Sequence, residues 1–148
     1  MRIIAGSHRS RSLDAPAGLA TRPTSDRLRE TLFNVLAPRI HGARFLDLYA
    51  GSGAVGMEAL SRGAAEVMFV ERAPAALKAL RGNLDRLGFA AGLHVHAGTV
   101  GGWLKQFSNG GKAHETRSTF DFVFLDPPYE AGDEYAATLN LLGGRAAS

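Results

Sequence analysis

Short apolar runs alternate with apolar stripes along most of this chain. Residues 44–48 (RFLDL), 67–70 (VMFV), 93–96 (LHVH) and 120–125 (FDFVFL) are rich in branched and aromatic residues and read as buried strands. Between them lie helical stretches. One runs from about Ala54 to Arg62. A second runs from Pro74 to Leu87, with its stripe at Leu77, Leu80, Leu84 and Leu87. Pro74 suits a first turn and Gly88 a C-terminal cap. A third covers about Val100–Phe107, and residues 108–119 make a polar loop. A last helical piece spans about Glu134–Leu142, ended by Gly143 and Gly144.

The first 40 residues follow another pattern. Residues 1–13 read as a short β-hairpin, with Ile3, Ile4 and Leu13 flanking a turn at Gly6-Ser7. Arg9 and Arg11 would share one strand face. Residues 14–23 form a Pro/Gly-rich connector. A helix is expected over about Ser25–Ala37. Thr24 or Ser25 can cap it, Leu28, Leu32, Val35 and Leu36 form its stripe, and Pro38 stops it.

Strand–helix alternation argues for a parallel sheet with right-handed crossovers. In such sheets a ligand sits beyond the carboxyl ends of the strands. The chain carries unusual residues at those ends. The first strand runs into Asp47-Leu48-Tyr49-Ala50-Gly51-Ser52-Gly53-Ala54-Val55-Gly56, where Gly51 and Gly53 permit a tight turn and close backbone approach. The spacing fits a dinucleotide fold as well, but an acid at Asp47 suits a ligand with a cationic amine. Glu71 ends the second strand, where a carboxylate can accept both ribose hydroxyls. Arg72 beside it reads as solvated. Thr99 and Val100 follow the third strand, where an adenine ring would be gripped. An amine-, ribose- and adenine-bearing ligand describes S-adenosylmethionine.

The fourth strand ends on Asp126-Pro127-Pro128-Tyr129. The prolines stiffen the turn and donate no backbone hydrogen bonds. Asp126 supplies a carboxylate and Tyr129 a flat ring, a set that suits a planar group bearing an exocyclic amine. The plain alternative is a Pro-Pro turn closing a strand.

At 148 residues, 45% hydrophobic and 21% charged, the composition fits one globular domain. There is no cysteine, which excludes disulfides, thiolate zinc sites and a cysteine nucleophile. No apolar run approaches a membrane span, and no signal-peptide core opens the chain. A cytoplasmic location is expected, with no membrane partner. His94 and His96 alternate on a strand without further ligands around them, so no metal is expected. Residues 1–40 carry seven arginines against three acids, while net charge is +3 overall. Arginine clustering suits phosphate contact, or equally a solvated basic surface.

Together these residues resemble a known family. Asp47–Gly56 with Asp126–Tyr129 is similar to the amino-methyltransferases. Arg2–Gly6, Arg9–Leu13 and the run Arg22–Asn34 resemble the RsmD family, which methylates N2 of a guanine in small-subunit ribosomal RNA. The resemblance runs from residue 2 to about 142. It implies an α/β, Rossmann-like S-adenosylmethionine-dependent methyltransferase fold with an N-terminal β-hairpin. It implies that Gly51, Ser52 and Gly53 cradle the methionine part, with Asp47, Ala50, Glu71, Arg72, Thr99 and Val100 completing the cofactor site. Asp126, Pro127, Pro128 and Tyr129 would form the catalytic turn. Asp126 and the Pro127 carbonyl would accept hydrogen bonds from the guanine amine, and Tyr129 would stack on the base. Arg9, Arg11, Arg22, Thr24, Arg27 and Arg29 would bind RNA, with Arg22 and Thr24 also bordering the cofactor. The partner implied is small-subunit ribosomal RNA or the assembling small subunit.

The family usually has an acid or amide where this chain has Thr99. Its sheet has seven strands, whereas this chain reads as a single domain, 1–148, that stops after the fourth core strand and a helix. The division expected is a basic hairpin and helix over 1–40 and a cofactor-binding core over 41–148, with the C-terminal strands missing. Strand 120–125 would then be an exposed apolar edge. A monomer is expected unless that edge pairs. A DNA adenine-N6 methyltransferase and a non-catalytic RNA- or cofactor-binding remnant are the alternatives. A dehydrogenase is more distant.

Overall fold

A computed structural model describes residues 1–16, 25–89, 91–108 and 119–127. Arg22, Thr24, Pro128, Tyr129 and the expected helix over 134–142 lie outside the described residues. The elements in order are α1 (Asp26–Ile40), β1 (Arg44–Leu48), α2 (Ala54–Ser61), β2 (Glu66–Glu71), α3 (Pro74–Leu87), β3 (Leu93–Ala97), α4 (Val100–Ser108) and β4 (Phe122–Leu125). The strands form one parallel sheet of order β3-β2-β1-β4. The chain therefore steps outward from β1 to β3, then returns to the other side of β1. The carboxyl ends of β1 and β4 flank the point where this direction reverses, the place where such sheets open a ligand crevice.

Alternation along the strands sorts the core into two layers. Phe45, Val67 and Phe69 pack with Phe33 and Ile40 of α1, Met57 of α2 and Leu80, Leu84 and Leu87 of α3. Leu46, Leu48 and Val70 face the other way, onto Val100, Trp103, Leu104 and Phe107. α4 alone among the described helices covers that second face. β4 is shorter than its apolar run. Phe120 leaves the strand line to meet the rings of Trp103 and Phe107, at 6.0 and 5.8 Å between centroids. Among the described residues β4 is a sheet edge, and Val123 on it is exposed.

The N-terminal hairpin forms, with one antiparallel bridge between Arg2 and Ser12. The Ile3 amide donates to the Arg11 carbonyl at 2.9 Å, and the Leu13 amide to the Met1 carbonyl at 2.8 Å. The turn is wider than expected and spans residues 5–10. Arg9 therefore sits in the turn and shares no strand face with Arg11. Ile3 and Leu13 drop into the first core layer and hold the hairpin against α2 and α3.

α1 corrects two expectations. Ser25 caps it, its side chain accepting from the Leu28 amide at 3.1 Å. Pro38 does not stop it, and the helix runs on to Ile40. Pro38 removes one hydrogen bond in the last turn, and burial of Ile40 in the core offsets that loss. The buried stripe is also rotated. Arg29, Phe33 and Ile40 point inward, with Leu32 and Leu36 partly buried, while Leu28 and Val35 are exposed.

Candidate active site

The rotation of α1 follows from an ion-pair node. The Arg29 guanidinium is fully buried. It donates to Glu58 Oε1 at 3.3 Å, to Asp26 Oδ1 at 2.7 Å and to the Arg2 carbonyl. Glu58, also fully buried, accepts from the Ile4 and Ala5 amides at 2.9 and 3.1 Å and from Arg62 Nε at 2.8 Å. A buried charge of this kind is tolerated because each oxygen is paired. The expected RNA contact at Arg29 is thereby corrected, since no part of that side chain reaches solvent. Arg9, Arg11 and Arg27 are exposed, and Arg11 also reaches the Arg86 carbonyl at 3.0 Å.

The glycine-rich loop leaves β1 through a left-handed residue, Tyr49, at φ 56°. Such a conformation is costly for a residue with a Cβ. It turns the chain towards β2, where the Ala50 amide donates to the Val70 carbonyl at 3.0 Å. Gly53, at φ 85°, begins α2. A Cβ there would lie 2.3 Å from Leu80 Cδ1 and 2.5 Å from Met57 Cε. A Cβ on Gly51, at φ 60°, would meet nothing within 4 Å, so the open space lies beside that residue.

Two carboxylates shape this loop. Asp47 is buried and accepts from the Gly56 amide, in the first turn of α2, at 3.0 Å. Burial raises its pKa well above the usual carboxylate range. The Gly56 hydrogen bond opposes this, while the charges of Glu71 and Asp126 add to it. Asp47 therefore meets the helix amide, whereas the sequence suggested a ligand amine. Glu71, at the end of β2, accepts from the Gly51 amide at 2.8 Å and from the Arg72 and Ala73 amides at 2.9 Å each. Its carboxylate thus sets both the loop and the start of α3. Arg72 takes part through its backbone, and the residue is exposed.

The end of β3 is tied to the same place, because the Gly98 amide donates to the Glu71 carbonyl at 2.9 Å. Thr99 caps α4. Its hydroxyl accepts from the Gly102 amide at 3.0 Å, and its carbonyl accepts from the Trp103 amide at 3.0 Å. Val100 is buried in the second core layer. Ala50 and Ser52 are buried within the loop.

Asp126 follows Leu125, whose register partner on β1 is Leu48. Asp126 thus leaves the sheet beside Tyr49, is exposed, and faces Asp47 electrostatically. Pro127 is half-buried. Glu71 and Asp126, whose charges act on Asp47, therefore place negative potential at the carboxyl edge. Among the described residues, the five ion pairs all lie elsewhere. A ligand carrying positive charge fits such a region.

Two site-building residues carried no weight in the sequence reading: Glu58 and Asn83. The signals were present. Glu58 is an acid inside the apolar helix AVGMEALS, and Asn83 interrupts the leucine stripe of α3.

A parallel sheet of this order, with a glycine-rich loop after β1, a carboxylate ending β2 and an Asp-Pro turn ending β4, defines the Rossmann-like methyltransferase class. Residues 1–147 match the family described as Conserved hypothetical protein 95. The chain is 43% identical over 142 residues to the ribosomal RNA small subunit methyltransferase D of Escherichia coli K12, covering 96% of this chain and 66% of that protein. It is 42% identical over 130 residues to YlbH of Bacillus subtilis, covering 88% of this chain and 67% of YlbH. The solved structure of yhhF from Escherichia coli superposes with a TM-score of 0.78 at 40% identity, covering 96% of this chain and 71% of that one. The chain belongs to this family, the RsmD family of ribosomal RNA methyltransferases. It spans about two thirds of the length of the curated relatives it matches.

Proposed function

We propose that this chain transfers the methyl group of S-adenosylmethionine to the exocyclic N2 amine of a guanine in small-subunit ribosomal RNA. The observation that carries the reading is the meeting of the Gly51–Gly53 loop, Glu71 and Asp126 on one sheet edge. The relatives named as ribosomal RNA small subunit methyltransferases support the choice of RNA.

The residues fit the cofactor. Space opens beside Gly51. Glu71 presents a half-buried carboxylate suited to ribose hydroxyls. The surrounding carboxylates favour a cation. When bound, S-adenosylmethionine supplies a methyl already activated by its sulfonium. The protein then has to orient the acceptor and exclude competing geometries. Asp126 and the Pro127 carbonyl accept the amine hydrogens, which leaves the nitrogen lone pair directed at the methyl. The new nitrogen–carbon bond would form as the sulfonium's sulfur–methyl bond breaks, releasing S-adenosylhomocysteine, and the Asp126 carboxylate would take the proton the amine sheds. Tyr129 offers the base a stacking face. A guanine inside structured RNA is unstacked to enter such a site. Arg9, Arg11, Arg22, Thr24 and Arg27 contact RNA backbone, where arginine suits phosphate. The partner in this reading is small-subunit ribosomal RNA or the assembling small subunit, met in the cytoplasm.

The test is methyl transfer from labelled S-adenosylmethionine to small-subunit ribosomal RNA, followed by nucleoside analysis. Label in N2-methylguanosine is expected. Label only in N6-methyladenine of DNA would replace this reading with a DNA methyltransferase. Cofactor binding with no transfer to either would leave a binding remnant.

A further inference from the structure

The glycine-rich loop and the N-terminal arm meet through one buried side chain. Asn83 of α3 is fully buried. Its Nδ2 donates to the Ser52 carbonyl, inside the loop, at 3.1 Å, and to the Asp14 carbonyl at 3.0 Å. Its Oδ1 accepts from the Asp14 amide at 2.9 Å and from Arg86 Nη2 at 2.9 Å. Both donors and both acceptor lone pairs of the amide are used. Arg86 reinforces the arm side, reaching Asp14 Oδ2 at 2.9 Å and the Ser12 carbonyl at 2.7 Å.

We propose that Asn83 is a positioning residue that couples the N-terminal arm to the glycine-rich loop, so that order in the arm sets the affinity for the cofactor. The cofactor half of this statement rests on the reading of the loop given above. An amide is suited to the task. It bridges two backbone segments that are 38 residues apart, Asp14 and Ser52, with donors to both and an acceptor to one. An aliphatic side chain of similar size fills the space but leaves the Ser52 and Asp14 carbonyls and the Asp14 amide unpaired. Buried unpaired groups of this kind are costly, so the arm and the loop relax together. Coupling of this kind is reciprocal: RNA that orders the arm also favours the cofactor-binding form of the loop.

Hydrogen exchange and cofactor titration on the full chain test the proposal. In Asn83→Ala, amides of residues 50–54 and of residues 11–15 are expected to exchange about five- to tenfold faster, the worth of one net hydrogen bond. Leu36→Ala, on α1, is the control for general destabilisation and leaves the ratio of loop to core exchange unchanged. Arg86→Ala keeps Asn83 and disturbs only the arm side, so it serves if Asn83→Ala does not fold. It too is expected to speed exchange in the loop, and to weaken S-adenosylmethionine binding severalfold. Unchanged loop exchange in either folded variant overturns the proposal. If the unaltered chain binds no S-adenosylmethionine, the functional reading fails, and the exchange data still decide the coupling by themselves.

Discussion

Glu71 and Gly51 are joined by a 2.8 Å hydrogen bond from the glycine amide to the carboxylate. This contact fixes the glycine-rich loop against the end of β2, and the same carboxylate anchors the Arg72 and Ala73 amides. Glu71→Ala is expected to weaken S-adenosylmethionine binding by ten- to a hundredfold, matching about 1.5–3 kcal/mol for hydrogen bonds to a charged group. Glu71→Gln, which keeps one acceptor, falls between. Calorimetric dissociation constants check this, and an unchanged constant in Glu71→Ala removes the residue from the cofactor site.

Asp126 serves the acceptor. It stands at the end of β4, exposed, across the crevice from the loop. Asp126→Ala is expected to lower turnover by a hundredfold or more, on the order of a lost positioned proton acceptor, while cofactor affinity stays within about threefold, less than the worth of one hydrogen bond. Near-normal turnover in the variant would end the assigned role.

The arginines of the first 40 residues divide by burial. Arg9, Arg11 and Arg27 are exposed, and Arg29 is enclosed. Alanine at each exposed arginine is expected to weaken RNA binding and to flatten the salt dependence of log affinity by about 0.7–0.9 per residue. Arg29→Met should instead cost about 3 kcal/mol or more of stability, because Glu58 then keeps a buried charge with one partner fewer. Urea unfolding reads that loss. A loss below about 1 kcal/mol, the scale of an exposed ion pair, would show that the node is not holding α1 to α2.

Asp47 gives the fold a pH dependence. Burial holds its carboxyl pKa well above the usual range, so the folded chain binds this proton more tightly than the unfolded chain. The resulting stabilisation is full below the ordinary carboxylate value of about 3.9. It is lost as pH rises from there through the folded value. Asp47→Asn retains an acceptor for the Gly56 amide and cannot ionise. The difference in unfolding free energy is therefore expected to move in favour of Asp47→Asn between about pH 4 and neutrality. A difference that stays flat with pH would contradict the shift.

The strands and the helices α2, α3 and α4 were legible in the sequence because each is decided locally. β1 carries Phe45, Leu46 and Leu48 in a five-residue stretch, and α3 carries its own proline start and glycine end. The facing of α1 was not. Leu32 and Leu36 suit either of two faces, and the choice is made by Arg29. Its buried partner, Glu58, lies on another helix and 29 residues away. The same holds for Asn83, whose partners Asp14 and Ser52 are brought together only by the fold. Arg9 was misplaced because the width of the turn depends on Gly6 packing on the Ser61 carbonyl, where a Cβ would come within 1.9 Å. Thr99 also caps α4, its hydroxyl accepting from the Gly102 amide, a contact made only once the helix is formed.

The most direct test of the account is backbone amide nuclear magnetic resonance of the isotope-labelled chain during titration with S-adenosylmethionine. Saturable shifts are expected together at residues 50–53, 71–73 and 98–100, with the exposed side of α1 at Leu28, Thr31 and Val35 unmoved. A folded chain whose amides do not shift, or shift only away from the carboxyl edge of the sheet, would contradict the placement of the cofactor and the function built on it.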